Sequence, residues 1–132
     1  MKQAARVVIL KKDKILFMHR IKQGQEYYVL PGGAVEEGES FEQAAVREAK
    51  EETSYDITIK SKLWEIKDED RIAYFFLAGT FKGRLKLGGP ELKLNCPDNQ
   101  FMLKWIPVNE ISNYLIYPDG VKEKLVETFV RK

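Results

Sequence analysis

The sequence predicts an α/β fold in which a mixed β-sheet lies between helices. Three observations carry that expectation. Runs of β-branched and aromatic residues are cut apart by turn residues, a helical stretch with clear capping signals interrupts them, and the C-terminal part returns to helical spacing. At 132 residues the chain is expected to form one domain over residues 1–132, with a single core.

The elements follow in order. "ARVVILKKDKILFMHRIK" reads as two apolar runs separated by the polar turn "KKDK", a hairpin signal. "EYYVLPGG" is a short strand stopped by Pro31, Gly32 and Gly33. Ser40 offers a helix N-cap and Gln43 completes a capping box, so a helix is expected from Phe41 to Thr53. "YDITIKSKLWEI" alternates like a half-buried strand, and "RIAYFFLAGTF" is a stronger one, expected near the sheet centre. The length of the connection "KGRLKLGGPELKLNCPDNQ" suggests a functional loop or a hairpin excursion. "FMLKWIPV" is the last strand, and "NEISNYL" and "PDGVKEKLVETFVRK" read as helices, the second with Pro118 near its start.

Composition narrows the function classes. With 44% hydrophobic and 32% charged residues the chain reads as globular and not as a disordered tail. A net charge of +2 is too small to argue for binding polymeric nucleic acid or a membrane surface. Cys96 has no second cysteine to pair with, so a reducing, cytoplasmic compartment is expected. The start "MKQAARVVIL" lacks a signal-peptide pattern, and "IAYFFLAGTF" falls short of the roughly 20 apolar residues that span a bilayer.

One segment is unusual. Between Glu36 and Glu52 stand seven acidic residues and only two basic ones, Arg47 and Lys50, so this window is negative in a chain that is positive overall. Phe41, Ala44, Ala45, Glu48, Glu51 and Glu52 fall at the spacing of one helix face, apolar in its first half and all carboxylate in its second. A solvated acidic face is the ordinary reading of such a run. Here the shared stripe turns the three glutamates toward protein, where carboxylates need a partner, and a hard cation with oxygen ligands is such a partner.

The spacing around that stripe resembles the signature of the Nudix hydrolases, G-x5-E-x7-R-E-U-x-E-E-x-G-U, where U is aliphatic. Gly33, Glu39, Arg47, Glu48, Glu51 and Glu52 meet six of its seven fixed charged and glycine positions. Ser54 stands where the family has glycine, and Tyr55 where it has an aliphatic residue. Serine there would take a left-handed helix cap at a cost of roughly 1 kcal/mol.

The resemblance implies the Nudix fold and a Mg2+-dependent pyrophosphohydrolase, with Mn2+ as a substitute. Its substrate would be a nucleoside di- or triphosphate, or a nucleoside diphosphate conjugate, cut at a phosphoanhydride bond. It implies Glu48, Glu51 and Glu52 as metal ligands, the Gly33 carbonyl as a further one, and one of the glutamates, Glu48 first, as general base. Arg47 and Glu39 would hold the loop against the helix by a salt bridge, with a phosphate contact by Arg47 as the other reading. Gly32 and Gly33 would let the backbone approach metal and phosphates.

Family members often take another carboxylate from the loop before the last strand, where Glu91 and Asp98 are the candidates. Arg20 is a candidate phosphate contact, Tyr28 (over its neighbour Tyr27) a candidate base-stacking residue, and Tyr74 a candidate wall of the cleft. Markers of particular substrates are silent: Arg71 stands where a proline would indicate ADP-ribose. A non-catalytic, nucleotide-sensing Nudix domain is the alternative, and an acidic interaction helix a third reading. Dimers are common in the family, and the sequence leaves the oligomeric state open.

Overall fold

The computed structural model describes residues 1–88 and 96–130. Its strands are β1 (Lys2–Val8), β2 (Leu10–Lys11), β3 (Lys14–Lys22), β4 (Gln25–Val29), β5 (Gly32–Ala34), β6 (Asp56–Lys67), β7 (Arg71–Lys82) and β8 (Asn99–Pro107). They form two sheets. One has the order β5-β1-β7-β6, with β1 parallel to β7 and the other pairs antiparallel. The other is built on β3, which pairs with β8 along its whole length and with β2 and β4 on its remaining edge.

Two strand expectations are corrected here. The hairpin at "KKDK" forms but is shorter than expected: Leu10 and Lys11 pair onto Ile15 and Lys14 and the Leu16 N–H donates to Ile9 O at 3.1 Å, while β1 pairs in the other sheet and not with β3. Val7, Val8 and Ile9 are fully buried, so this run is covered on both faces as parallel strands are. The glycines after Pro31 do not simply end a strand either. They form β5, with Gly33 opposite Ala5 and Gly32 opposite Arg6 on β1.

The helix α1 (Phe41–Thr53) has the expected bounds, with the Ser40–Gln43 capping box in place. Ser54 closes it at φ 69°, its N–H donating to Lys50 O at 3.0 Å, so serine takes the left-handed cap. Ala44 and Ala45 let α1 lie close on Ala5 and Phe76, while Ala49 packs with Val7, Leu16 and Tyr55. On the opposite side, α2 (Val121–Phe129) buries Val121 and Leu125 against a cluster holding Phe17, Phe75 and Ile106. The sheets thus lie between helices, as expected. "NEISNYL" forms a 3-10 helix, Val108–Asn113, instead of an α-helix, and α2 begins three residues after Pro118.

Candidate active site

α1 and the glycine turn are brought together by the pairing of β1 with β5. Glu52, only 7% exposed, turns inward and its Oε1 accepts from the Gly32 N–H at 2.9 Å. Glu48 is half-buried one turn earlier, and its carboxylate lies against Gly33: a Cβ on that glycine would sit 2.8 Å from Glu48 Cδ. A side chain at position 33 would therefore occupy the space the carboxylate uses. Gly32 faces the other way, where a Cβ would meet Ala5 O at 2.2 Å and Arg6 Cα at 2.6 Å.

Arg47 organises the outer half of the acidic segment. Its Nε and Nη2 donate to the two oxygens of Glu39 at 2.7 and 3.0 Å, and Nη2 also reaches Ala34 O at 3.0 Å. Its Nη1 donates to Glu48 Oε1 at 3.0 Å and to Glu51 Oε2 at 3.3 Å. These bonds hold the Glu39 carboxyl below the usual carboxylate range, the Arg47 contact first and the Glu36 backbone second, and they push the Arg47 guanidinium further up. The repulsion evident in the sequence is thus offset by an arginine placed among the carboxylates.

Two site expectations on this helix are modified by that placement. Glu51 is exposed, not inward, because at about 100° per residue it sits on the flank of the stripe centred near Glu52. Among the described residues, no three His, Cys, Asp or Glu side chains are already gathered around a cation-sized position. What is present is a hard-oxygen donor set, Glu48 and Glu52 inward and Glu51 beside them, against a glycine pair with no side chains in the way.

Of the other expected residues, Arg20 is brought to the site and three are not. A recess of about 240 Å3 opens between the sheets, lined by Glu52, Gly32, Arg6, Arg20, Tyr27 and Phe101, with Met18 and Val29 beneath. Tyr27, Arg20 and Phe101 stand in one register row across β4, β3 and β8. The Arg20 guanidinium lies 3.7 Å from the Phe101 ring centroid and donates to Asn99 Oδ1 at 2.6 Å. Tyr28 points to the opposite face, as strand alternation demands. It is buried, stacks on His19 at 4.3 Å, and packs edge-on to Tyr114. Burial, then Glu26, raises its hydroxyl pKa to about 12.

Tyr74 stacks on Phe41 at 3.8 Å, on the α1 side of β7, away from this recess. Asp98 is exposed and bonds through its backbone, its carbonyl accepting from the Gln23 N–H at 2.9 Å. It flanks the Lys22 end of β3, four residues or about 13 Å along the strand from the level of Met18. Glu91 lies outside the described residues.

Arg6 is the residue that sequence reasoning missed. It is half-buried, and its Nη1 donates to Leu30 O at 2.8 Å. Burial pushes its pKa below the ordinary arginine value, while Glu52 and then Glu48 pull it back up. The signal was a single charge inside the apolar run "ARVVIL". Tyr27 and Phe101 were hidden by the choice between adjacent aromatics and by the distance in sequence between β4 and β8.

The fold and this constellation define a class, and comparison with known proteins agrees. The family model of the NUDIX domain matches residues 1–128. The chain belongs to the Nudix family of hydrolases. Among relatives, an uncharacterised Nudix hydrolase of Bacillus subtilis, YvcI, is 32% identical over 123 residues, covering 86% of this chain and 71% of its own. An ADP-ribose pyrophosphatase of Methanocaldococcus jannaschii is 39% identical over 88 residues, which are 61% of this chain and about half, 52%, of that protein. The solution structure of the E. coli ORF135 protein superposes with a TM-score of 0.77 at 26% identity, covering 98% of this chain and 88% of that one. A MutT Nudix hydrolase from Burkholderia pseudomallei shares the fold, with a TM-score of 0.72 at 22% identity and 98% of each chain covered. No described helix is long and apolar enough to cross a membrane.

Proposed function

We propose that the chain is a Mg2+-dependent pyrophosphohydrolase that cuts a phosphoanhydride bond of a nucleoside di- or triphosphate or of a nucleoside diphosphate conjugate. One observation carries the reading: a buried glutamate, Glu52, and a half-buried one, Glu48, lie side by side against a side-chain-free glycine pair at a recess that also holds Arg6 and Arg20. The hard-oxygen donors suit magnesium, with manganese as a substitute. Glu48, Glu51 and Glu52 would hold the ion, with the Gly33 carbonyl as a further ligand. When bound, it would offset pyrophosphate charge and lower the pKa of a water molecule.

The chain's own groups have distinct roles in this reading. Glu48 is the proposed proton acceptor, because it faces the glycine turn and Arg47 fixes one of its oxygens. Arg47 is a positioning residue that ties the loop before α1 to the helix. Arg6 and Arg20 face the recess as phosphate contacts, and Tyr27 and Phe101 offer ring faces to a base. The ADP-ribose pyrophosphatase relative supports a nucleoside diphosphate conjugate as one substrate type.

The test is a panel of nucleoside triphosphates, nucleoside diphosphate sugars and ADP-ribose, with every product identified. A nucleoside monophosphate is expected, accompanied by pyrophosphate or by a phosphorylated group. Release of orthophosphate alone, or turnover of simple monoesters in place of anhydrides, would sink the reaction type.

A further inference from the structure

We infer that Lys2, Arg6 and Arg71, beside Gly33, form a second anion subsite that receives the part of the substrate leaving when the anhydride is cut. The inference rests on the hydrolase reading above and adds the character of the leaving part. That part is the pyrophosphate tail of a nucleoside triphosphate, in preference to a phosphate carrying an uncharged sugar. The water oxygen bonds to the phosphorus on the nucleoside side, its proton passes to Glu48, the P–O–P bridge breaks, and the bridging oxygen departs on the tail.

Strand alternation puts Lys2, Ala4 and Arg6 on one face of β1. Arg71 stands in register with Lys2 across the parallel β1–β7 pair, so its side chain shares that face. Together with Gly33 these residues line a recess of about 460 Å3, wider than the 240 Å3 recess beside Glu52. Arg6 lines both. The glycine pair is split between them, Gly32 in the smaller and Gly33 in the larger. A phosphate chain passing Arg6 would therefore run from the aromatic recess, past the glutamates, into one whose charged lining residues are all cations.

Two of the three charges in the larger recess lack anions of their own, while Arg6 faces Glu52 and Glu48. Among the described residues neither Lys2 nor Arg71 is in an ion pair. Asp68, in the neighbouring turn, spends Oδ1 on the backbone N–H groups of Asp70 and Arg71, at 3.1 and 2.9 Å. Arg6 and Arg71 line one recess, where their like charges oppose each other. An anion between two guanidiniums removes that conflict, and their planar forks match phosphate oxygens. A tail with several negative charges gains most, and a neutral sugar gains nothing.

The test compares binding of two probes to the folded protein in magnesium buffer. One is an α,β-methylene nucleoside triphosphate, taken with each common base, and the other is the matching monophosphate. Arg71→Ala should weaken the triphosphate analogue about tenfold and the monophosphate less than about twofold. Adding Lys2→Ala should widen the gap, Arg71→Lys should restore part of it, and added salt should narrow it. Equal effects on both probes, no effect on either, or a wild-type protein that binds no triphosphate analogue would overturn the subsite. Product release by the wild-type protein is read separately. Turnover without the predicted selectivity refutes only the subsite, whereas no turnover of any nucleotide refutes the hydrolase reading beneath it. Melting curves of each variant confirm that a loss of binding is not a loss of fold.

Discussion

The Gly32 N–H donates to Glu52 Oε1 at 2.9 Å, tying the turn after β4 to the last turn of α1. A carboxylate this buried needs a donor, and the backbone supplies one that no side-chain substitution can remove. The same glycine must lack a side chain. At φ 150° it adopts a conformation other residues avoid, and a Cβ would fall 2.2 Å from Ala5 O.

Gly32→Ala is therefore expected to destabilise the protein by about 2–4 kcal/mol, through backbone displacement of β1 or β5. Denaturant unfolding measures this. A midpoint equal to that of the wild-type protein would contradict the geometry of the β1–β5 pair.

Tyr27 and Tyr28 should separate function from stability. Tyr27→Ala is expected to raise KM for nucleotides with a small change in melting temperature. Tyr28→Ala should lose roughly 3–5 kcal/mol of stability, the scale of emptying a buried aromatic site. Kinetics and melting on the two variants decide it, and the reverse pattern would mean the faces of β4 are assigned wrongly.

This pair also shows how far the sequence could be read. The helix bounds, its capping box and the Ser54 cap were legible because each depends on neighbours a few residues away. The approach of Glu48 and Glu52 to the glycine pair was legible in the spacing from Gly33 to Glu52. Which tyrosine faces the recess was not, because that depends on where β4 sits relative to β3 and β8. The division into two sheets was hidden by Val7, Val8 and Ile9, a run buried on both faces that carries no alternation to mark a sheet change. Arg6 acquires meaning only once β1 pairs with β5. Lys2 and Arg71 meet only through the parallel β1–β7 pair, which joins residues 69 positions apart.

Acid should act through Glu39. Its carboxyl is held below the usual range by Arg47, so folding gains from its ionisation above the unfolded value near about 4, and that gain is lost as pH falls through the lower folded value. The stability of the wild-type protein should decline below about pH 4, and Glu39→Gln should flatten that limb. An unchanged slope in the variant would show that the Arg47–Glu39 contact does not persist in solution.

Alkali should act through Tyr28, with the opposite sign. Burial raises its pKa to about 12, so between the unfolded value near about 10 and that limit the unfolded chain has lost a proton that the folded one retains. Stability should fall across that interval as pH rises. Tyr28→Phe should remove most of the slope attributable to this group, as ultraviolet titration of tyrosine and melting curves together would show.

The central claim is that Glu52 and its neighbours form a divalent-cation site that performs hydrolysis. Its most direct test is the melting temperature of the wild-type protein and of Glu52→Gln in chelator and in magnesium, each with and without an α,β-methylene nucleoside triphosphate. The side-chain amide oxygen in Glu52→Gln can still accept from the Gly32 N–H, so the metal-free variant should fold, with a modest drop in melting temperature from losing the charge that faces Arg6. Magnesium with the analogue should raise the wild-type melting temperature, because the ion binds only the folded arrangement, and should raise that of the variant much less. Turnover by the variant should fall by at least ~100-fold. Equal melting shifts in both proteins together with full activity of Glu52→Gln would contradict the account.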